Sequence, residues 1–240
     1  MNPTIIYEDK QFLVVNKPPG LIVHHARHAG TANARRAVAR VDEKPQPALT
    51  DWLLENYPEV AGVGDDPAQR PGIVHRLDKE TSGVLLVART QASFEYLKGL
   101  FQKHEIQKTY LAWVSGQPKK EKGIIDVPIG IRNGTTKRST RSTKMAKPAV
   151  TEYKVLKTEE KIDARGQGAK FSLLEVKPQT GRTHQIRVHL ASIGYPVVGD
   201  HLYGPKAQPA WATRLMLHAL SIEFTAANGK RVKFEAEQPF

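Results

Sequence analysis

The chain has 240 residues and no cysteine, and its 36 lysines and arginines outnumber its 24 aspartates and glutamates to give a formal charge of +12. The lack of cysteine excludes disulfides and thiolate metal sites and suits a reducing, cytoplasmic setting. The positive excess favours a polyanionic partner, most simply nucleic acid; an anionic membrane is the competing partner, but no basic amphipathic helix with a broad apolar face supports it.

Two short strands are predicted at the start of the chain. Residues 5–9 and 12–16 are rich in branched and aromatic side chains, and the Lys-Gln pair between them favours a tight turn. The KPPG stretch at residues 17–20 ends the second strand, because proline cannot donate to a neighbouring strand. The first residues lack a charged start with an apolar run, and no segment reaches the roughly 20 apolar residues of a membrane span, so we expect a soluble, untargeted protein.

An irregular basic insertion follows at residues 27–47. Arg35 and Arg36 can lie on one side of a short alanine-rich helix that contacts phosphate. A solvated loop fits the same residues at least as well. We therefore predict RNA contacts here on charge alone.

Two helices are predicted on either side of the next segment. Residues 48–57 have an apolar face, and the helix is expected to be capped at Thr50 or Asp51 and stopped by Pro58. Residues 90–104 carry apolar and aromatic side chains at helical spacing. Core packing is sufficient to explain both patterns.

The segment HRLDKETSG places a single carboxylate, Asp78, just ahead of the apolar run at residues 84–88. This run is short, rich in branched side chains and opened by Gly83, which predicts a buried strand. A carboxylate just ahead of a buried strand is held rigidly, as a catalytic group requires. Spacing alone favours the alternative, an ordinary polar loop whose aspartate caps a turn.

Further strands surround a strongly basic segment. Residues 107–114 alternate as a strand, with Tyr110 and Leu111 on opposite faces, and core packing alone explains Tyr110. Residues 132–147 are basic, contain no acid and are too polar to form a core, which predicts a flexible loop or hairpin that becomes ordered on RNA. An exposed solubilising loop fits equally well. Strands are expected again at residues 149–156 and 171–176.

A helix is predicted within residues 180–193, with Thr183 as its N-cap and Gly194 ending it. Arg187 lies beside its apolar stripe, where a charge needs a partner. The stripe that we expect to be buried consists of Ile186, Leu190 and Ile193. Residues 215–224 and 232–234 predict the last strands.

The histidines do not form a metal-binding pattern. His184 and His189 are five residues apart, which is not the spacing of an HExxH zinc helix, and we expect them to be hydrogen-bonded structural residues. His24, His25 and His28 lie close together without a cysteine or carboxylate at ligand spacing. Since phosphate-binding glycine motifs are also absent, we predict neither a metal nor a cofactor.

Four motifs occur in a fixed order: NKPPG at residues 16–20, HRLDKETSG at 75–83, QKTYLAWVSG at 107–116 and TGRTHQIRVHL at 180–190. With these motifs the chain resembles the RluA family of RNA pseudouridine synthases over nearly its whole length. The resemblance implies one α+β domain over residues 1–240, with a central, mostly antiparallel mixed sheet, flanking helices and a basic active-site cleft. It also implies a stand-alone catalytic domain, without the small leading RNA-binding domain of some relatives.

The resemblance assigns roles to individual residues. It implies that Asp78 is the nucleophile, that Tyr110 is the active-site tyrosine, and that Arg187 forms a salt bridge with Asp78. Arg76 is expected to enter the RNA helix and support a flipped nucleotide. The other expected substrate-binding residues are His75, Leu77, Thr81, Arg182, His184, Gln185 and Leu190. The expected RNA-binding residues are Lys17, Arg35, Arg36, Lys137, Arg138, Arg141 and Lys144.

The implied reaction isomerises uridine within RNA and needs neither cofactor nor metal. The expected substrate is a stem-loop or folded region of ribosomal or transfer RNA, because flipping is easiest for a uridine in a loop or beside an unstable pair. The expected enzyme is a monomer. Attack at C1′ of the ribose and attack at C6 of uracil both remain open. An RNA-binding protein with an unused site and a hydrolase that releases uracil are the alternative classes.

Overall fold

The computed structural model describes residues 2–25, 46–132, 135 and 137–240. Within these residues, eleven strands and three α-helices are formed, and a short 3₁₀ helix at Pro58–Gly62 follows the first helix. The strands are β1 Thr4–Glu8, β2 Phe12–Lys17, β3 Ser82–Ala88, β4 Gln107–Ser115, β5 Lys122–Asp126, β6 Gly130–Ile131, β7 Arg138–Ser139, β8 Val150–Ile162, β9 Gly168–Pro178, β10 Leu217–Thr225 and β11 Arg231–Glu235. The helices are α1 Leu49–Asn56, α2 Gln91–Gln102 and α3 Gln185–Ser192.

A large mixed sheet is the centre of the fold. In the described part of the chain it has nine strands in the order β1-β2-β3-β10-β4-β9-β8-β5, and β11 pairs with β10. β3 and β10 run parallel where Ser82 meets His218. The other neighbouring strands of this sheet run antiparallel. The expected α+β fold with a mixed, mostly antiparallel sheet is confirmed.

The strand that follows Asp78 is the most deeply buried part of the sheet. All seven residues of β3 are buried, as its apolar run predicts. Gly83 has φ +112°, and a Cβ at this position would collide with the backbone of Ala219 on β10. Glycine is therefore required where β3 and β10 meet, and the Asp78 loop leads directly into this tight contact.

The helices cover both faces of the sheet. On one face α1 packs through Leu53, and α3 packs through Leu190. On the other face α2 packs through Leu97. Tyr110 faces the side of α1 and α3, whereas Leu111 belongs to the opposite layer, so the predicted alternation along β4 is confirmed.

The start of α1 differs from the prediction. Ala48, rather than Thr50 or Asp51, is the N-cap residue. Asp51 lies in the first turn, where its carboxylate accepts the Ala48 N–H at 2.9 Å. The carboxylate thus satisfies the backbone N–H of the N-cap residue itself, which is the half of a capping box that a residue in the first turn supplies. In α2, Thr90 is an N-cap residue whose hydroxyl accepts from the Ser93 N–H.

The ends of α3 also correct the prediction. The N-cap residue is His184 rather than Thr183, and it has the left-handed backbone conformation φ 57°, ψ 20°. The helix ends at Ser192, so Ile193 leaves the helical period and is 37% exposed instead of joining the buried stripe. Gly194 has φ +88° and ends the turn as predicted.

Two hairpins formed by β8 with β9 and by β6 with β7 differ in size. The predicted strands at residues 149–156 and 171–176 are parts of β8 and β9, which form a longer hairpin than expected. Strand β7, within the basic segment, pairs with β6, which directly precedes that segment, and the two form a small second sheet. Arg35 and Arg36 lie outside the described residues. No helix in the described ranges is long and apolar enough to cross a membrane.

Candidate active site

Asp78 lies in the turn that leads into β3. The Thr81 N–H donates to the Asp78 carbonyl oxygen at 3.1 Å, and Thr81 itself is buried. The Asp78 side chain is 19% exposed, so the carboxylate is supported by the protein but still reaches solvent. Rigid support beneath an accessible carboxylate suits a catalytic group.

Arg187 connects α3 to this carboxylate. Its Nη1 donates to Asp78 Oδ2 at 3.2 Å, across 109 residues of sequence. The predicted contact between Asp78 and Arg187 is therefore confirmed. Arg187 is buried, so its charge is only partly shared with water and acts strongly on nearby groups.

Asp200 holds the other side of the Arg187 guanidinium, and the sequence analysis did not single it out. Asp200 Oδ2 accepts from Nε at 2.7 Å, and Oδ1 accepts from Nη2 at 2.9 Å. Burial would lower the pKa of Arg187, but the hydrogen bonds and charges of Asp200 and Asp78 outweigh it and raise the pKa. Burial would likewise raise the pKa of Asp200, but Arg187 lowers it overall. The result is a bidentate ion pair with both partners charged.

Tyr110 lies beside the carboxylate on the open face of the sheet. It packs against the hydrophobic clusters on either side of the cleft that crosses this face. Burial raises the pKa of Tyr110, and the charge of Asp78 raises it further. The phenol therefore keeps its proton at neutral pH.

A cleft of about 690 Å³ opens over these side chains. We call it the catalytic cleft. The residues with predicted catalytic roles, Asp78, Tyr110 and Arg187, all line it. Seven of the eight residues predicted to bind substrate line it as well, namely His75, Arg76, Leu77, Thr81, Arg182, His184 and Gln185. The structure thus brings together side chains from three separate motifs.

His75 forms a fixed part of the cleft wall. Its Nε2 accepts the Leu86 N–H at 2.8 Å, and its ring stacks on Phe101 with centroids 4.7 Å apart. Burial lowers the pKa of His75 to about 3, and the charge of Lys108 contributes. The imidazole is therefore neutral, and its ring nitrogen is already used within the protein.

The site combines a carboxylate, an arginine and a protonated tyrosine beneath one basic cleft. This arrangement agrees with the family that the sequence matches. The family model described as RNA pseudouridylate synthase matches residues 11–192. The chain belongs to this family of RNA pseudouridine synthases. It is therefore an enzyme of the class that isomerises uridine to pseudouridine, and the RluA-type resemblance is confirmed.

Relatives of known name support this assignment. An uncharacterized RNA pseudouridine synthase of Aquifex aeolicus is 38% identical over 248 residues, covering 98% of this chain and 69% of the relative. A ribosomal large subunit pseudouridine synthase D of Zymomonas mobilis is 36% identical, with coverage of 98% and 69%. The solved structure of human RNA pseudouridylate synthase domain containing 1 matches with a TM-score of 0.75 and 28% identity, covering 100% of this chain and 84% of that one.

Lys17 has a structural position in this synthase, contrary to its predicted contact with RNA. It is fully buried, and its Nζ donates to the carbonyl oxygens of Pro18, Leu21 and Lys79 at 2.8, 2.9 and 3.0 Å. Burial lowers the pKa of Lys17 to about 8. The ammonium ties the end of β2 to the residue after Asp78, so it supports the catalytic loop from beneath.

The side chains of Gln185 and Leu190 make their contacts within the protein, although Gln185 also lines the catalytic cleft. The Gln185 amide oxygen accepts from Thr180 Oγ1 at 2.7 Å and from the Arg182 N–H at 2.9 Å. Its amide nitrogen donates to the Val150 carbonyl oxygen at 2.9 Å and to Thr151 Oγ1 at 3.0 Å. Leu190 is fully buried in the core beneath α3. Both were predicted to bind substrate, but one is saturated by the protein and the other is inaccessible.

Lys108 is a cleft residue that the sequence analysis missed. It lies two residues before Tyr110 on β4, on the same face of the strand. Its Nζ donates to the Thr180 carbonyl oxygen at 3.4 Å, and burial lowers the pKa of Lys108 to about 8. Together with Arg76 and Arg182 it gives the catalytic cleft a positive wall.

A second cleft of about 760 Å³ lies on the other side of α3. We call it the basic cleft. Its walls include Val188 and Ser192 of α3, and Tyr203. Four residues predicted to bind RNA also line it, namely Lys137, Arg138, Arg141 and Lys144. The helix that carries Arg187 thus separates the two clefts.

His184, which precedes α3, and His189, within α3, have different surroundings. His189 is buried, with Nδ1 at 2.9 Å from Thr151 Oγ1 and Nε2 at 2.9 Å from the Val127 carbonyl oxygen, which agrees with its expected structural role. His184 faces the catalytic cleft, and its Nε2 lies 3.8 Å from Asp78 Oδ2. Within the described ranges, no group of three or more histidine, cysteine, aspartate or glutamate side chains could hold a metal ion.

Proposed function

We propose that the chain converts specific uridines of a structured RNA into pseudouridine, with Asp78 as the nucleophile. The observation that carries this proposal is the Asp78 carboxylate, which contacts Arg187 at 3.2 Å beneath an open, positively charged cleft. A single carboxylate with a fixed cation differs from the pair of acids that an ordinary glycosidase uses.

The proposed reaction moves the ribose from one atom of uracil to another. The bond between N1 and C1′ breaks, and the carboxylate attacks either C1′ or C6 of the ring. The uracil turns within the cleft and C5 forms a bond to C1′. The bond between the carboxylate oxygen and C1′ or C6 breaks, which returns Asp78 to its free carboxylate form. The proton on C5 passes to a base and N1 gains a proton, so the atoms balance and no electron is gained or lost overall.

The contacts of Asp78 suit this role. In the part of the chain that the structure describes, its side-chain contacts are made through Oδ2, to Arg187 Nη1 at 3.2 Å and to His184 Nε2 at 3.8 Å. We therefore assign Oδ1 as the attacking oxygen. A carboxylate oriented through one oxygen loses little further entropy when it attacks through the other, and such orientation is a large source of rate acceleration.

We propose that Tyr110 and Arg76 bind the flipped uridine. Because burial and Asp78 raise the pKa of Tyr110, its ring is neutral and its hydroxyl is a donor, suited to stacking on uracil and bonding a carbonyl oxygen. Arg76 is exposed at the cleft and can take the space left in the RNA. Extrusion of a base costs a few kcal/mol, roughly, which favours a uridine in a loop.

The proposed substrate is a stem-loop of ribosomal or transfer RNA. Relatives from Zymomonas mobilis and Pseudomonas aeruginosa are named for the large ribosomal subunit, which favours that RNA. The basic cleft offers a surface for backbone phosphates next to the catalytic cleft. Since Asp78, Tyr110 and Arg187 come from one chain, we propose that the monomer is active.

The test is pseudouridine mapping of total RNA from cells with and without the gene. Cells lacking it are complemented with the wild type or with Asp78→Ala. We expect one or a few sites to disappear and to return only with the wild type. Restoration by the alanine variant would overturn the role of Asp78, and the appearance of free uracil with purified protein would indicate a hydrolase instead.

A further inference from the structure

Tyr203 connects the two clefts. It lines the basic cleft, whereas His184 lines the catalytic cleft. The Tyr203 hydroxyl lies 2.8 Å from His184 Nδ1, and the two rings meet edge to face with centroids 5.5 Å apart. Because His184 Nε2 is 3.8 Å from Asp78 Oδ2, one imidazole separates the tyrosine from the proposed nucleophile.

The direction of these hydrogen bonds follows from the groups involved. The Arg138 N–H can only donate, and it donates to the Tyr203 hydroxyl oxygen at 3.0 Å. This bond fills one acceptor site of the oxygen and leaves the hydroxyl proton free to donate, and we assign His184 Nδ1, at 2.8 Å, as its acceptor. A neutral imidazole that accepts at Nδ1 carries its proton on Nε2, and that N–H is directed toward Asp78.

The backbone of His184 supports a functional reading of this arrangement. His184 has φ 57°, a left-handed conformation that costs a non-glycine residue about 1 kcal/mol. As the N-cap residue of α3, His184 accepts the Val188 N–H at its carbonyl oxygen at 3.0 Å, but its side chain caps no backbone group of the helix. The side chain instead lies between Tyr203 and Asp78.

Arg138 adds a link to the RNA surface. Its backbone holds Tyr203, and its side chain lines the basic cleft. Among the described residues its Nε is buried without a hydrogen-bond partner. If this side chain shifts toward the basic cleft, a phosphate oxygen of bound RNA can accept from Nε.

We propose that Tyr203 is a positioning residue that fixes the tautomer of His184, so that Nε2–H donates to Asp78 when RNA is bound. This inference rests on the proposed function of Asp78. The 3.8 Å separation is that of the free enzyme, and catalytic hydrogen bonds of this kind shorten in the substrate complex. RNA in the basic cleft would stabilise the same chain of bonds through Arg138.

The test compares two ways of supplying the donor to Asp78. Tyr203→Phe removes only the hydroxyl, and we expect the single-turnover rate at saturating enzyme to fall about tenfold while the RNA dissociation constant changes by less than about twofold. His184→Gln keeps an N–H near the Nε2 position without needing Tyr203, whereas His184→Asn does not reach it. We therefore expect the glutamine variant to be the more active of the two.

The single-turnover rate of the double variant, His184→Gln with Tyr203→Phe, decides the question. In the His184→Gln background, Tyr203→Phe should cost less than about twofold, because the tautomer no longer matters. An equal loss in both backgrounds, or a change confined to the RNA dissociation constant, would overturn the inference. Tyr195→Phe removes a hydroxyl outside both clefts and serves as the matched control. Asp78→Asn is measured alongside. Activity in that variant would show that the proposed function of Asp78 fails, separately from the inference about Tyr203.

Discussion

Replacing Asp200 by asparagine tests whether Arg187 must be held in place. Asp200 Oδ1 accepts three hydrogen bonds, from Arg187 Nη2 at 2.9 Å, the Leu202 N–H at 2.9 Å and the Tyr203 N–H at 3.0 Å. In Asp200→Asn the amide oxygen takes this position, because only an oxygen can accept all three. The amide NH₂ then faces Arg187 Nε, and two donors oppose each other across a gap that is 2.7 Å in the wild type.

The size of the effect follows from these contacts. One hydrogen bond between charged groups is lost, which is worth about 1.5 to 3 kcal/mol. The buried guanidinium of Arg187 also loses the negative charge of Asp200, which is its closest counter-charge. We expect the free energy of unfolding to fall by about 3 kcal/mol. If the guanidinium moves by about 1 Å, the orientation of Asp78 is lost and the rate falls roughly 100-fold.

The assay measures the release of tritium from a transcript labelled at C5 of uridine, under single-turnover conditions, beside urea unfolding. Asp163→Asn, in the turn between β8 and β9, removes a carboxylate charge far from the cleft and is the control. The contrary outcome is an Asp200 variant that is less stable but keeps full activity at urea concentrations below its unfolding transition. That result would show that Arg187 need not be held in place by Asp200 to orient Asp78.

Three further predictions follow from individual cations. Lys17→Met leaves three carbonyl oxygens without their donor and should lower the free energy of unfolding by about 3 kcal/mol, measured in urea; equal stability would contradict the structural role. Arg141→Ala with Lys144→Ala should reduce the slope of log affinity for RNA against log salt by about 1 to 2, and an unchanged slope would remove them from the RNA surface. Because burial lowers the pKa of Lys108 to about 8, its ammonium loses its proton as pH rises past 8. RNA affinity should therefore fall between about pH 7 and 9 in the wild type but not in Lys108→Arg; identical profiles would contradict a contact with RNA.

Features fixed by local chemistry were predictable from the sequence. An apolar run opened by Gly83 gave the position of β3, and alternation placed Tyr110 and Leu111 on opposite faces of β4. The pairing of Asp78 with Arg187 came from the family resemblance together with the rule that a charge beside an apolar stripe needs a partner.

Features that depend on tertiary packing were missed or misplaced. Lys17 looks like a surface cation in sequence, and only the folding of residues 18–21 and 79 around it makes it a buried clamp. Asp200 gave one signal, a carboxylate directly after the apolar stretch VVG, which implies a buried charge with a partner. The left-handed backbone of His184 was not predictable, because positive φ is uncommon for every residue except glycine, even though histidine is enriched among the exceptions.

The role of Asp78 as the nucleophile is tested by the single-turnover reaction of Asp78→Asn with a transcript that carries the mapped uridine. Asparagine keeps the size of the side chain and removes only the nucleophilic carboxylate. We predict no pseudouridine with enzyme in excess, while the RNA dissociation constant stays within about threefold of the wild type. Pseudouridine formed by protein whose intact mass excludes deamidation back to aspartate would contradict the account.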